Sequence, residues 1–181
     1  MRVRNVAHVD GNWATLIYIP IDNFYLSEFT SKCVQAVNDQ NLVHMNDLHI
    51  SLSRTLYLKT HQISNFITLL EQKLVVQKFL VSFSDLQIYT NDEKTCNFLA
   101  LDVHCGKSNL FNLVSLVNAV TSSFGLASYY DDPCFHTSFA WSQNSIDLDK
   151  EMVDLDSIHN ITVDVSCIHV KCGNRIYEIN I

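Results

Sequence analysis

Residues 131–141 read DDPCFHTSFAW and residues 47–53 read DLHISLS, two short runs that each carry a histidine and, two positions on, a serine. Side chains alternate across a strand, so His49, Ser51 and Ser53 are expected on one face and Leu48, Ile50 and Leu52 on the other. In the later run His136 and Ser138 share a face, while Phe135, Thr137, Phe139 and Trp141 make the opposite, mostly apolar one. Two such strands facing each other across a cleft bring two imidazoles and two or three hydroxyls to one point. That constellation is the size of a phosphate.

Outward from these runs the chain repeats an order. Trp13 to Ile21 (WATLIYIPI) reads as a strand buried on both faces, closed by Pro20. From Asn23 to about Gln40, Tyr25, Phe29, Cys33 and Val37 recur every four residues, predicting a helix that Asp22 or Asn23 caps. The first histidine run follows. Ile63, Phe66, Ile67, Leu70 and Leu74 then mark a second helix, and Phe79 to Tyr89 a strand. Past the polar turn from Thr90 to Thr95 the order restarts. Asn97 to Val103 is a strand, and Leu110, Leu113, Val114, Val117 and Val120 lie on a helix capped by Ser108. The second histidine run comes next, then a weaker helix at Leu148, Met152 and Leu155. Ile161 to Val170 reads as one strand, and Gly173-Asn174 turns it into a last strand, Arg175 to Ile181. The expectation is one bilobed domain over 1–181, with pseudo-repeats at roughly 12–90 and 96–181 and one histidine strand in each.

Bulk composition narrows the function. With 181 residues, 48% hydrophobic, 4 Gly and 2 Pro, the chain fills a core and leaves no room for a low-complexity linker. A net charge of -7 is the wrong sign for coating long nucleic acid through phosphate contacts, although a strand end needs only a few donors. Six cysteines show neither CxxC nor ribbon spacing, so most are expected to be reduced and buried. No apolar run reaches the roughly 20 residues of a membrane span, and no signal-peptide pattern opens the chain, so a cytosolic or nuclear protein is expected.

Two histidines with hydroxyls suit the opening or closing of a phosphodiester at an RNA 2′-hydroxyl. One imidazole takes the proton from the attacking oxygen, and the other, protonated, gives one to the leaving oxygen. Ser51 and Ser138 would donate hydrogen bonds to the non-bridging oxygens, and the RNA supplies its own nucleophile. A metal centre is not expected. His44 and His49 are five apart, not at helical zinc spacing, and no HExxH is present. His8, His61, His104, His159 and His169 read as surface or satisfied core residues, and Trp13 and Trp141 as core. Of Tyr129-Tyr130, one ring either overhangs the cleft to stack on a base or closes the lobe's core. Pro133 fixes the turn into the strand. Asp131 and Asp132 are turn-formers, or a carboxylate that holds an imidazole tautomer.

The paired motifs resemble those of the 2H phosphoesterase superfamily, and the wider sequence is similar to its U6 small nuclear RNA phosphodiesterases. Five segments carry the likeness: GNWATLIYIP from Gly11, LHISLSRT from Leu48, IYTNDEKT from Ile88, YYDDPCFHTSFAW from Tyr129 and KCGNRIYEI from Lys171. The resemblance implies an α+β fold of two antiparallel-sheet lobes with flanking helices, related by a pseudo-twofold about a cleft. It also implies a metal-independent, cofactor-free 3′–5′ exonuclease that trims uridine or adenosine from U6 RNA and leaves a 2′,3′-cyclic phosphate or 3′-phosphate. By motif match His49 is the general base, His136 the general acid, Ser51 and Ser138 the phosphate ligands, and Tyr130 and Asn91 further substrate-binding residues. The partner is an RNA 3′ end, the chain acts as a monomer, and the setting is nuclear, with cytoplasmic presence open. Three departures stand out: Cys96 where the family often has arginine, Thr137 where it commonly has Leu or Ile, and Ser142-Gln143 where it has Gly-Asp. Two rivals stay open. One is an enzyme of the same superfamily acting on 2′,3′-cyclic nucleotides or tRNA ends, and the other a non-catalytic nucleotide-binding module.

Overall fold

Alternation governs the first strand, β1 (Asn12–Pro20): Thr15, Ile17 and Ile19 are buried while Leu16 and Tyr18 between them are half-exposed. The expectation of burial on both faces is therefore corrected. The odd-numbered residues enter the core, and the even-numbered face is the one that carries the site. The computed structural model describes residues 9–37, 39–148 and 153–181. His8 and Met152, read above from sequence, lie outside them.

Helix α1 (Phe24–Ala36) begins where Asn23 accepts a hydrogen bond from the Leu26 amide at 3.0 Å, the expected cap. Its buried face is Leu26, Phe29, Thr30 and Cys33, whereas Tyr25 is 69% exposed. The four-residue period drifts off a 3.6-residue helix, so a face extrapolated back from Phe29 misses by one position. Strands β2 (Val43–His44), β3 (His49–Ser51) and β4 (Leu56–Lys59) follow, then α2 (Ile63–Lys73), β5 (Phe79–Thr90), β6 (Asn97–Val103) and α3 (Lys107–Ser123). Gly106, not Ser108, occupies the α3 cap position with φ 89°. A Cβ there would meet the Leu80 carbonyl oxygen at 2.6 Å, so the close approach of β5 demands glycine.

The second histidine run forms β7 (His136–Ser142). A 3-10 helix, Leu155–Asn160, follows; of the weak helix expected at 148–155, Leu148 is irregular and the centre lies outside the described residues. The run expected as one strand is two, β8 (Thr162–Val165) and β9 (Cys167–Cys172), and β10 (Arg175–Asn180) ends the chain. Buried positions change parity across Ser166, from Val163 and Val165 to Ile168 and Val170. The two strands serve opposite ends of the sheet.

The strand order is β10-β9-β1-β3-β7-β6-β5-β8, with β4 added beside β1 and β2 beside β7. All pairings are antiparallel, so this is an α+β fold. The two four-strand halves meet at β3 and β7, the histidine strands. In one half β9 and β10 lie beside β1, far away in sequence; in the other β5 and β6 pair as a hairpin and β8 flanks β5. The helices cover the buried face, where Phe66 of α2 meets Phe124 just past α3 edge to face at 5.1 Å. Trp13 is not core. It is 43% exposed, donates to Thr60 at 3.0 Å and shields Gly173, while Trp141 is half-buried. Among the described residues no helix is long and apolar enough to cross a membrane.

Thr137 is fully buried at this junction, and its hydroxyl finds no hydrogen-bond partner among the described residues. A buried unpaired hydroxyl costs about 1–3 kcal/mol. Thr137→Val keeps the shape and β-branching, so it is expected to stabilise the chain by about 1 kcal/mol or more in urea unfolding. Destabilisation would mean that the hydroxyl is satisfied.

Candidate active site

The junction of β3 and β7 is the bridge Ile50↔Thr137, and both side chains are fully buried. One step to either side along antiparallel strands sets His49 across from Ser138 and Ser51 across from His136. Because Ile50 and Thr137 point into the core, these four residues point out of it together, and all four are half-buried. Ser53, expected to join them, does not. The strand ends at Ser51, and the Ser53 hydroxyl turns inward to accept from the Ile17 amide at 3.0 Å.

Both imidazoles are held by one device. His49 Nδ1 lies 3.0 Å from the Asp47 carbonyl oxygen, and His136 Nδ1 lies 2.7 Å from that of Cys134. A carbonyl only accepts, so each Nδ1 carries the hydrogen, and Nε2 is the atom that exchanges a proton. The tautomer is thus set by the backbone two residues upstream. Asp131 and Asp132 are exposed and take no part in it.

The two rings have different neighbours. Tyr18 of β1 meets His49 edge to face at 5.1 Å, whereas Tyr89 of β5 stacks on His136 at 4.1 Å and 15°. Tyr89 donates its hydroxyl to Asp102 at 2.6 Å, and Asp102 sits opposite His136 in the β6–β7 register. Burial and Asp102 push the Tyr89 hydroxyl well above its ordinary range, so it stays a donor. Burial lowers the His136 pKa below the ordinary histidine value, although the Cys134 carbonyl and the Asp102 carboxylate oppose it and His49 adds to the lowering. Replacing Asp102 with asparagine removes a negative charge that raises this pKa. The limb of the kcat/KM pH profile governed by His136 is therefore expected to move to lower pH in Asp102→Asn. A limb that stays or moves upward would show that Asp102 does not act on the titrating group.

Tyr129 and Tyr130 differ in burial, the first closing the core and the second lying at the surface. Tyr129 is buried and its hydroxyl is pushed up to about 12 by burial, then by Tyr130; Tyr130 is 40% exposed. The Arg54 guanidinium lies 3.9 Å from the Tyr130 ring centroid and 3.7 Å from Asp92, to which Tyr130 donates at 3.2 Å. Arg54 follows β3, Asp92 belongs to the β5–β6 turn and Tyr130 precedes β7, so this contact spans the rim of the site. Asn91 is committed within its own turn: its amide nitrogen donates to Glu93 and Thr95, both at 2.9 Å, and its oxygen accepts from the Thr95 and Cys96 amides. It shapes the loop that presents Asp92.

Tyr18, Tyr89, Asp102 and Arg54 were not singled out from sequence. Tyr18, Tyr89 and Arg54 lie inside segments quoted above, but what marks them is contact with residues far away in the chain. Cys33, Cys96 and Cys172 are buried as expected, while Cys105 and Cys134 are exposed and Cys167 half-buried. A concavity of about 790 Å³ between α1 and residues 153–162 is lined by neither histidine. The two histidines lie on the sheet face instead.

A family model described as HVSL, an uncharacterised conserved protein, matches residues 1–180. Among curated proteins, U6 snRNA phosphodiesterase 1 of Rattus norvegicus is 32% identical over 193 residues, covering 98% of this chain and 72% of its own. U6 snRNA phosphodiesterase 1 of Xenopus laevis is 40% identical over 146 residues, covering 77% of this chain and 58% of its own. Among solved structures, Usb1 of Kluyveromyces marxianus superposes with a TM-score of 0.64 at 14% identity, covering 94% of this chain and 98% of that one. At that identity the likeness is one of fold. The same Usb1 has been solved with uridine monophosphate.

Proposed function

The chain belongs to the U6 snRNA phosphodiesterase family, and from that premise we propose that it is a 3′–5′ exonuclease trimming uridine or adenosine tails of U6-type RNA, without a metal in the reaction. The observation that carries this reading is the joining of β3 and β7. It supports two Nε2 atoms and two hydroxyls acting on one phosphate.

In the reaction, the 2′-hydroxyl of the penultimate ribose attacks the last phosphodiester. The O2′–P bond forms and the P–O5′ bond breaks, leaving a 2′,3′-cyclic phosphate on the shortened chain and releasing the terminal nucleoside. His49 Nε2 takes the O2′ proton, and protonated His136 Nε2 gives one to O5′. A lowered pKa makes His136 a ready proton donor, and contact with the anionic phosphate favours its charged form. Ser51 and Ser138 donate to the non-bridging oxygens as charge builds. Hydrolysis of the cyclic phosphate, where it occurs, yields a 3′-phosphate. The chain acts as a monomer in the nucleus, and a site that grips one strand end is compatible with its net charge of -7.

Tyr130 offers its ring to the terminal base, with Arg54 backing the other face. Tyr130→Ala is expected to cost about 1–3 kcal/mol of binding, read as a raised KM with kcat less affected. An unchanged KM would place the base elsewhere. The reading as a whole is tested by offering two substrates, an RNA with a diol 3′ end and a 2′,3′-cyclic mononucleotide. Serial shortening of the RNA supports it; turnover of the mononucleotide alone would replace it with a small-substrate enzyme.

A further inference from the structure

The sheet face that bears His49 continues across β1 to the β9–β10 hairpin, where three unlike donors converge. Cys167 and His169 are two apart on β9 and so share a face, and Glu178 of β10 stands directly opposite His169 in the register. Ile168, Val170 and Ile179, which alternate with them, are buried, so the three donors face away from the core. His169 Nε2 is 3.2 Å from Glu178 Oε2, and the ligand atoms of all three residues lie within 4.8 Å of one another. Tyr18 fixes the His169 ring edge to face at 5.5 Å, and the same Tyr18 ring meets His49.

We propose that Cys167, His169 and Glu178 form a binding site for a thiophilic divalent cation, Zn²⁺ above all, separate from the two-histidine chemistry. A thiol, an imidazole and a carboxylate together are the donor set that zinc takes. Hard cations such as Mg²⁺ and Ca²⁺ would be offered a single carboxylate where they need six or more, mainly oxygen, ligands. Zinc bonds of about 2.0–2.3 Å hold tetrahedral donors within about 4 Å of each other, so only a small closing of the side chains is needed on a rigid hairpin. Binding forms a Zn–S bond and breaks the S–H bond, and the thiol proton leaves to solvent. Three protein ligands leave the fourth position open toward the site face, the pattern of an exchangeable rather than a structural zinc.

The pair His169–Glu178 alone would be an ordinary surface ion pair; Cys167 is what turns it into a site. The test titrates the full chain, stripped of metal, with Zn²⁺ against a chromophoric chelator, and with Co²⁺ by absorption spectroscopy. One zinc per chain is expected, with a thiolate-to-cobalt charge-transfer band. Cys167→Ser and His169→Ala are each expected to weaken binding more than about tenfold, and Cys167→Ser to abolish the band. Glu178→Gln, a change at an exposed position, should weaken zinc with the melting temperature unchanged, which guards against variants that misfold. The double variant His49→Ala, His136→Ala should bind as the parent does. The proposal is overturned by the absence of stoichiometric binding, by binding that survives both Cys167→Ser and His169→Ala, or by binding lost in the double variant.

Discussion

His136→Ala and His49→Ala are each expected to slow 3′-end trimming by about 10²–10⁴-fold while leaving the fold intact. In the proposed reaction each ring carries one proton transfer, and the backbone carbonyls of Asp47 and Cys134 aim both Nε2 atoms out of the core. Alanine removes the transfer and leaves water as the only donor or acceptor. The fold holds because both side chains are half-buried and the β3–β7 bridge is made by Ile50 and Thr137. The double variant should lose little beyond the worse single one, since a step that needs acid and base together is already broken by losing either. Losses that simply multiplied would mean that the rings act in separate steps. Circular dichroism and melting temperature on each variant separate lost chemistry from lost structure.

Ser51→Ala and Ser138→Ala are expected to lower kcat by about 10²–10³-fold each, the size of loss that removing one oxyanion-hole donor causes. Their positions argue for this. Ser138 lies across from His49 and Ser51 across from His136, so each hydroxyl faces the opposite strand's imidazole, as the proposed phosphate contacts require. Among the described residues neither hydroxyl is hydrogen-bonded to a protein group, so both are available as donors. Threonine at either position keeps the hydroxyl and should recover most of the rate. If serine-to-alanine changes raised KM alone, the hydroxyls would bind ground state and transition state equally.

The histidine strands and their faces were legible because a period of two is a local property, written in Leu48, Ile50 and Leu52 against His49 and Ser51. The cap at Asn23 was legible for the same reason. Which strands pair was not. That β3 meets β7 depends on a bridge between residues 50 and 137, and nothing near either residue encodes it. Ser53 continued the alternation on paper, but the Ile17 amide needed a partner and the chain had already left the strand. At Ser166 the clue is present: apolar positions step from Val163 and Val165 to Ile168 and Val170, a change of parity that a strand makes only at a bulge or a break. Tyr89 and Asp102 gave no local sign at all. Their part in the site exists only once β5, β6 and β7 lie side by side.

Two histidines acting without a metal are proposed to remove nucleotides one at a time from an RNA 3′ end. The decisive experiment incubates the chain, in excess chelator, with a 5′-labelled RNA ending in several uridines and a free diol, resolved nucleotide by nucleotide. The expected result is a ladder that shortens from the 3′ end and disappears with His136→Ala. An unchanged band, or a ladder that persists in His136→Ala, would contradict it.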